Sequence, residues 1–253
     1  MKIILLTIVF LTTIFGSLEN VYSQVNIESK RIKTGSKSKF LSEVGINFND
    51  GEIKVLEYNM ALRFDKRFNL NNSLLSLFEY KYGEANSEAF KNELFFHTRF
   101  TSMFLLERSL GLEFFVQTQK NEFFDIKLRQ LLGFVIRKQL FHILVFDGYL
   151  GLGVMKEWEE LEKNPDNDDY RLTNYLTFIL EKEKKYKILS TTYYQPLIKK
   201  LEDYRITSEF AIIFEFSKVI GLKNSIQLQY DSNPPKDIER YNLSLNVDLI
   251  FKY

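Results

Sequence analysis

Tyr241-Asn242-Leu243-Ser244-Leu245-Asn246-Val247-Asp248-Leu249-Ile250-Phe251-Lys252-Tyr253 ends the chain, and its alternation decides the fold. Tyr241, Leu243, Leu245, Val247, Leu249, Phe251 and Tyr253 fall on one face of an extended segment. Asn242, Ser244, Asn246, Asp248 and Lys252 fall on the other, with Ile250 the single exception. Successive side chains of a strand point to opposite faces, so a segment patterned this way is half buried. A closing strand that ends in Phe or Tyr is the habit of bacterial outer-membrane β-barrels. The segment therefore points to a location, and to the assembly machinery that reads such a terminus.

Working outward, about eleven further segments repeat the pattern between short polar breaks. Lys39–Phe48 runs into Asn49-Asp50-Gly51, a strong hairpin signal. Ile53–Phe64, Leu74–Tyr82, Glu88–Thr101 and Leu110–Gln119 follow. Phe123–Arg137 aligns Phe124, Ile126, Leu128, Leu132, Phe134 and Ile136. Leu140–Glu157 carries Gly148, Gly151 and Gly153, which mark a bend or close packing. An acidic loop from Glu159 to Asp169 precedes Tyr170–Leu180. Tyr186–Tyr194, Asp203–Phe216, Val219–Tyr230 and the closing strand complete about twelve strands. Short links at every turn describe an antiparallel up-and-down meander, which must close to hide its edges. With both termini in the periplasm, the two longest links, the acidic loop and Asp231–Ile238, face outward, as outer-membrane barrels arrange them.

Composition agrees. Phe (24) and Tyr (14) are abundant while Pro (4) and Trp (1) are scarce, which suits long strands. The formal charge of +1 gives no field to attract nucleic acid. No cysteine is present, which excludes disulfides, thiolate metal sites and a lipid-modified N-terminal cysteine. Met1-Lys2, the apolar run Ile3–Phe15 and the small residues Gly16, Ser17 and Ser23 read as a signal peptide over 1–23, cleaved before Gln24. Residues 24–38 read as a polar lead-in and 39–253 as one barrel domain. Alternation alone also fits a soluble periplasmic barrel that binds an apolar ligand with its apolar face inward. Strands longer than ten residues, and apolar faces dense in Phe and Tyr, favour apolar-out in lipid, with lipid and lipopolysaccharide as neighbours.

From His97 onward a series of short phrases appears in order. They are His97-Thr98-Arg99-Phe100-Thr101, Gly111-Leu112-Glu113-Phe114-Phe115-Val116-Gln117 and Leu128-Arg129-Gln130-Leu131-Leu132-Gly133. Gly151-Leu152-Gly153-Val154-Met155-Lys156-Glu157-Trp158-Glu159, Arg171-Leu172-Thr173-Asn174-Tyr175-Leu176 and Thr192-Tyr193-Tyr194-Gln195-Pro196 continue the series. Asp203-Tyr204-Arg205-Ile206 and Tyr230-Asp231-Ser232-Asn233-Pro234-Pro235 complete it. In this order the phrases resemble the YdiY-like family of salt-induced outer membrane proteins, domain of unknown function 481. The chain departs from the family at Gly35-Ser36-Lys37 and at Phe134-Val135-Ile136. The resemblance implies an outer-membrane barrel and brings no activity, cofactor or catalytic residue with it.

The polar rows of the strands are the candidate site. By parity Glu93, His97 and Arg99 share a face, as do Glu113, Gln117 and Gln119. Asp125, Lys127, Arg129 and Arg137 form a third row, and Arg205, Glu209 and Glu215 a fourth, with Arg171 and Tyr193 on intervening strands. Two readings stand: a narrow polar conduit with charge rings, or a salt-bridged plug that fills a small barrel. A lipid hydrolase is disfavoured. Neither His97, on the inferred lumen face, nor His142, near an inferred periplasmic turn, has a serine at base–nucleophile spacing. Glu159, Glu160, Glu162, Asp166, Asp168 and Asp169 offer oxygen ligands for divalent cations, but without EF-hand spacing they read first as a solvated loop. No catalytic, cofactor or metal residue is expected.

Overall fold

The computed structural model describes residues 38–49, 55–86, 88–104, 109–121, 125–182, 186–236 and 238–252. The leader, the lead-in through residue 37, Asp50-Gly51, Phe123, Phe124, Tyr253 and the side chain of Phe90 lie outside the described residues. Every described element is a strand. In chain order they are β1 (Ser38–Asn49), β2 (Val55–Arg67), β3 (Asn72–Ala85), β4 (Glu88–Phe104), β5 (Leu110–Asn121) and β6 (Ile126–Ile143). Next come β7 (Phe146–Leu161), β8 (Asn167–Leu172), β9 (Asn174–Lys182), β10 (Tyr186–Leu197), β11 (Lys200–Glu215), β12 (Ile220–Asp231) and β13 (Tyr241–Lys252).

Neighbours in sequence are neighbours in the sheet, and β13 returns to β1. Leu41↔Lys252 through Val44↔Leu249 form that closing seam. β8 and β9 keep one register against both β7 and β10. Thr173 between them donates its N–H to the Gly153 carbonyl (2.8 Å). They are successive halves of one strand, so twelve antiparallel strands make a closed up-and-down barrel.

The alternation sorts inside from outside. On β13, Leu243, Leu245, Val247 and Leu249 are exposed outward, while Ser244, Asp248 and also Ile250 are buried in the lumen. Outward tyrosines and the tryptophan collect at the end away from the start of β1: Tyr58, Tyr82, Trp158, Tyr170, Tyr194, Tyr204 and Tyr241. Tyr204 packs in tilted contact with both Tyr194 and Tyr230 there, with ring centroids at 5.6 and 5.8 Å. At the other end, which holds the start of β1 and the end of β13, outward Phe40, Phe64, Phe104, Phe146 and Phe214 take their place. From Tyr204 to Phe214, ten residues at ~3.4 Å and a ~45° tilt give a band about 24 Å tall. That is the height of the apolar belt of an outer-membrane barrel. Within the band, Ser76 pairs with Thr98 (3.2 Å) and Thr192 with Ser208 (2.9 Å), so outward hydroxyls satisfy one another.

Several sequence expectations are corrected. The break expected between Arg137 and Leu140 is absent; β6 continues to Ile143 and turns at Leu144-Val145. Leu144 adopts a positive φ of 51°, a conformation rare outside glycine and asparagine, and no turn-forming residue announces it. Ile126 and Lys127 exchange sides. A register shift between Ile126 and Leu128 buries Ile126 and leaves Lys127 outside beside Glu160 (3.8 Å). The acidic loop shrinks to residues 162–166, because β7 extends through Glu159 to Leu161 and β8 starts at Asn167. Between the expected strands Tyr186–Tyr194 and Asp203–Phe216, β10 runs on to Leu197 and β11 starts at Lys200, so the link is a tight turn at Ile198-Lys199, with a bulge absorbing the extra residues of β11.

Candidate functional site in the barrel lumen

Of the candidate polar rows, Glu93, His97, Arg99, Glu113, Gln117, Arg129, Arg171, Tyr193, Arg205 and Glu209 face inward and are buried, whereas Lys127 lies outside and Glu215 is half-buried. They do not form one continuous row. Strand tilt places them in separate groups at different depths.

The densest group lies toward the tyrosine end. Glu157 receives three guanidiniums: Arg205 Nη1 at 2.7 Å, Arg171 Nε at 2.8 Å and Arg129 Nε at 3.1 Å. Glu159 takes second contacts from Arg129 Nη2 and Arg205 Nη2. Asp203 and Asp231 hold the outer sides of Arg171 (2.9 Å) and Arg205 (2.8 Å). Four carboxylates thus enclose three arginines. On sequence alone Glu159 reads as part of the solvated loop, and Glu157 is not among the candidates. Their inward parity with Met155 on β7 was the signal available. Above this knot the mouth is bridged by its links. Lys236 N–H donates to Asn164 Oδ1 (3.3 Å), and Asn164 Nδ2 donates to Asp125 Oδ2 (2.5 Å).

A second group lies toward the phenylalanine end. Glu113, fully buried, accepts from Arg99 Nη1 (3.1 Å), the Tyr175 hydroxyl (2.9 Å) and Thr101 Oγ1 (3.3 Å). Arg137 Nη1 donates to the Tyr175 hydroxyl (2.9 Å), and its guanidinium lies 4.0 Å over the Tyr149 ring. Arg99 Nη2 reaches the Tyr193 hydroxyl (3.4 Å). A third, looser group lines the wall near the seam, where Lys223 sits between Glu209 (3.3 Å) and Glu43 (3.8 Å). Nearby Asn59 Nδ2 donates to Asp248 Oδ1 (3.0 Å). Glu93 stands directly across from Lys81 in the ladder.

Between the first two groups the lumen turns apolar. On β6, Leu131, Gly133 and Val135 lie between Arg129 and Arg137. With Phe115, Met155, Tyr175 and Tyr193 they form a buried cluster. Two glycines make this layer fit. A Cβ on Gly133 would come within 2.2 Å of the Phe115 ring, and one on Gly151 within 2.2 Å of the Tyr175 ring. Each ring therefore lies flat over a glycine of the adjoining strand. His97 stacks on Phe115 (5.5 Å) and Phe95 (6.2 Å), with Nδ1 3.2 Å from Gln117 Oε1. His142 is outside this interior altogether, exposed at the Leu144 turn and 2.5 Å from Asp147 Oδ1.

The interior is nearly neutral. Among the described residues, nine Lys and Arg and ten Asp and Glu are buried, so no single-sign field runs through it.

A family model described as a protein of unknown function, DUF481, matches residues 42–253. The chain belongs to the DUF481 family. No curated protein matches it. Among solved structures, the translocator domain of the autotransporter NalP from Neisseria meningitidis is 10% identical, with a TM-score of 0.53. That likeness covers 90% of this chain and 92% of NalP's, and it shows the shared barrel fold. The KdgM porin in complex with disordered oligogalacturonate is 12% identical over 85% of this chain and 99% of its own, with a TM-score of 0.48. The NanC porin is 8% identical over 85% and 98%, with a TM-score of 0.49. The DUF481 match takes in every strand of the barrel, lacking only the first four residues of β1.

Proposed function

We propose that this DUF481 protein is an exported, non-catalytic barrel of the bacterial outer membrane whose lumen is closed by its own side chains, so that it serves the envelope structurally and is not an open porin. The observation that carries this reading is the knot around Glu157. Three guanidiniums and four carboxylates meet across strands β6, β7, β8, β11 and β12, so that side of the lumen is filled with side chains already paired to one another. The hydrogen-bonded links over the mouth and the near balance of buried charge support it. A conduit selective for ions needs an excess of one sign along its wall.

The apolar belt supports contact with lipid and lipopolysaccharide, and the alternating last strand supports delivery by the outer-membrane assembly machinery. The resemblance to salt-induced proteins supports a role under osmotic stress. Two measurements test the reading. The mature protein should fractionate with outer membranes and require detergent for release; recovery as a soluble periplasmic protein would overturn its location. In planar bilayers the folded protein should stay electrically silent. Stepwise ohmic currents that change on replacing Arg129 or Arg205 would establish the conduit instead.

A further inference from the structure

The barrel is closed, but its seam is short. β1 pairs with β2 along its whole length, from Ser38↔Lys66 to Asn49↔Val55, and β13 pairs with β12 from Tyr230↔Tyr241 to Ile220↔Phe251. β1 and β13 pair with each other only from Leu41↔Lys252 to Val44↔Leu249, at the phenylalanine end. Continued upward, the same register would set Gly45 opposite Asp248, Ile46 opposite Val247 and Asn49 opposite Ser244, but among the described residues the pairing stops. Exposure marks the gap: Ile46 is 75% exposed, against 41% for Val44 one step below on the same face. Where the backbone pairing ends, side chains hold the seam. Asn59 passes over Gly45, where a Cβ would stand 2.0 Å from its Oδ1, and its Nδ2 donates to Asp248 Oδ1 (3.0 Å). Just below, Lys223 reaches Glu43 (3.8 Å). Above this latch, the link after β12 ties the top of β13 to the side away from β1. Ser232 N–H donates to the Tyr204 carbonyl (3.0 Å), Asn233 Nδ2 to Asp203 Oδ2 (3.1 Å) and Lys236 N–H to Asn164 Oδ1 (3.3 Å).

The open half of the seam lies toward the tyrosine end of the apolar belt, where Leu243, Leu245 and Val247 face outward. Hydrocarbon supplies no hydrogen-bond partners, so bare strand edges at that depth are strongly disfavoured. We infer that this open half-seam is an interface for a second copy of the chain. A two-fold axis along the membrane normal keeps both copies in one orientation and sets β1 of each against β13 of the other. Every new pair is then antiparallel, as within one chain, and the register that stops at Val44↔Leu249 resumes between copies with Ile46 opposite Val247. Parity agrees, because Ile46 and Val247 both face outward. A strand from another protein fits less well. β1 and β13 run in opposite directions, so a strand placed between them is antiparallel to one and parallel to the other, the slightly weaker pairing. A strand laid on one edge leaves the other bare. A second copy covers all four edges at once. The inference stands apart from the closed lumen, because the latch and the Glu157 knot lie within each copy.

The test uses the mature protein folded in lipid vesicles, and the absence of cysteine lets each position be labelled alone. Ile46→Cys and Val247→Cys proteins, folded together and oxidised with copper phenanthroline, should give at least fivefold more disulfide-linked dimer than either variant by itself. Val44→Cys mixed with Leu249→Cys should show no such excess, because those positions pair within their own chain. A chain carrying both Ile46→Cys and Val247→Cys should form linked dimers and not an internal disulfide, which would migrate as a faster monomer after unfolding. Should either variant lose the heat-modifiable band of the folded barrel, Phe48→Cys with Leu245→Cys probes the same register two residues higher. A rapid internal disulfide would mean that the seam zips on itself, and a mixture without excess dimer would mean that no second copy stands there. Either result overturns the proposal, and neither depends on whether the barrel conducts.

Discussion

Neutralising Glu157 removes the one carboxylate shared by Arg129, Arg171 and Arg205. Glu157→Gln keeps the shape but turns an acceptor edge into an N–H₂ that must face at least one guanidinium donor. Breaking a buried pair by removing one partner costs about 3–5 kcal/mol. The lower end applies here, because Arg129 and Arg205 keep Glu159 and Arg171 keeps Asp203. A loss of about 3 kcal/mol lowers the melting midpoint by about 6–12 °C for a chain of this size, at roughly 2–4 °C per kcal/mol. The folded barrel should migrate faster than the unfolded chain on gels, and the temperature at which half the fast band disappears then reads this shift directly. Glu160→Gln is the internal control, next in sequence but outside. Its pair with Lys127 is 3.8 Å long and more than half exposed on both sides, and such pairs contribute at most about 1 kcal/mol. A midpoint for Glu157→Gln no lower than that for Glu160→Gln would refute the knot as a buried unit.

Three further outcomes follow from the same structure. Gly133→Ala places a methyl group in the Phe115 ring and should destabilise by about 1–3 kcal/mol; adding Phe115→Leu should recover part of this, and strict additivity of the two changes in a double-mutant cycle would show that ring and glycine do not touch. Ile226→Arg, outward in the middle of β12, should destabilise by about 2–4 kcal/mol and Tyr241→Arg, at the belt, by about 0–1, as read from urea unfolding in lipid vesicles; equal effects would contradict the band. Shortening the chain to end at Asp248 removes every seam partner of Leu41–Val44, and should abolish the heat-modifiable band in refolding trials; a folded band would show that the barrel closes elsewhere.

The period-two pattern made inside and outside legible, because every residue of a regular strand obeys it. It made strand ends legible only where turn chemistry marks them. Leu144 turns without a glycine, asparagine or proline, and its apolar flanks Ile143 and Phe146 read as more strand. The slip at Ile126 reverses parity for two residues, which is how Lys127 came to be placed inside and Ile126 outside. Parity also says nothing about depth. It put Arg129, Arg171 and Arg205 in the lumen, but their meeting on Glu157 depends on the stagger of strands far apart in sequence. The apolar layer is invisible for a related reason: Phe115, Leu131, Val135 and Met155 stand in the polar rows, where they look like lapses in the pattern until the registers bring them together.

The claim that outward residues meet lipid while the interior is shut to water is tested most directly on adjacent positions of β12. The chain has no cysteine, so Ser225→Cys and Ile226→Cys each give a single attachment point for a spin label. Ser225 is buried in the lumen and Ile226 is exposed outward. In lipid vesicles, power saturation should show the label at 226 relaxed strongly by oxygen and weakly by a water-soluble nickel chelate. The label at 225 should be reached by neither. A label at 226 that responds to the nickel chelate would contradict the membrane-facing belt, and one at 225 that does so would contradict the closed lumen.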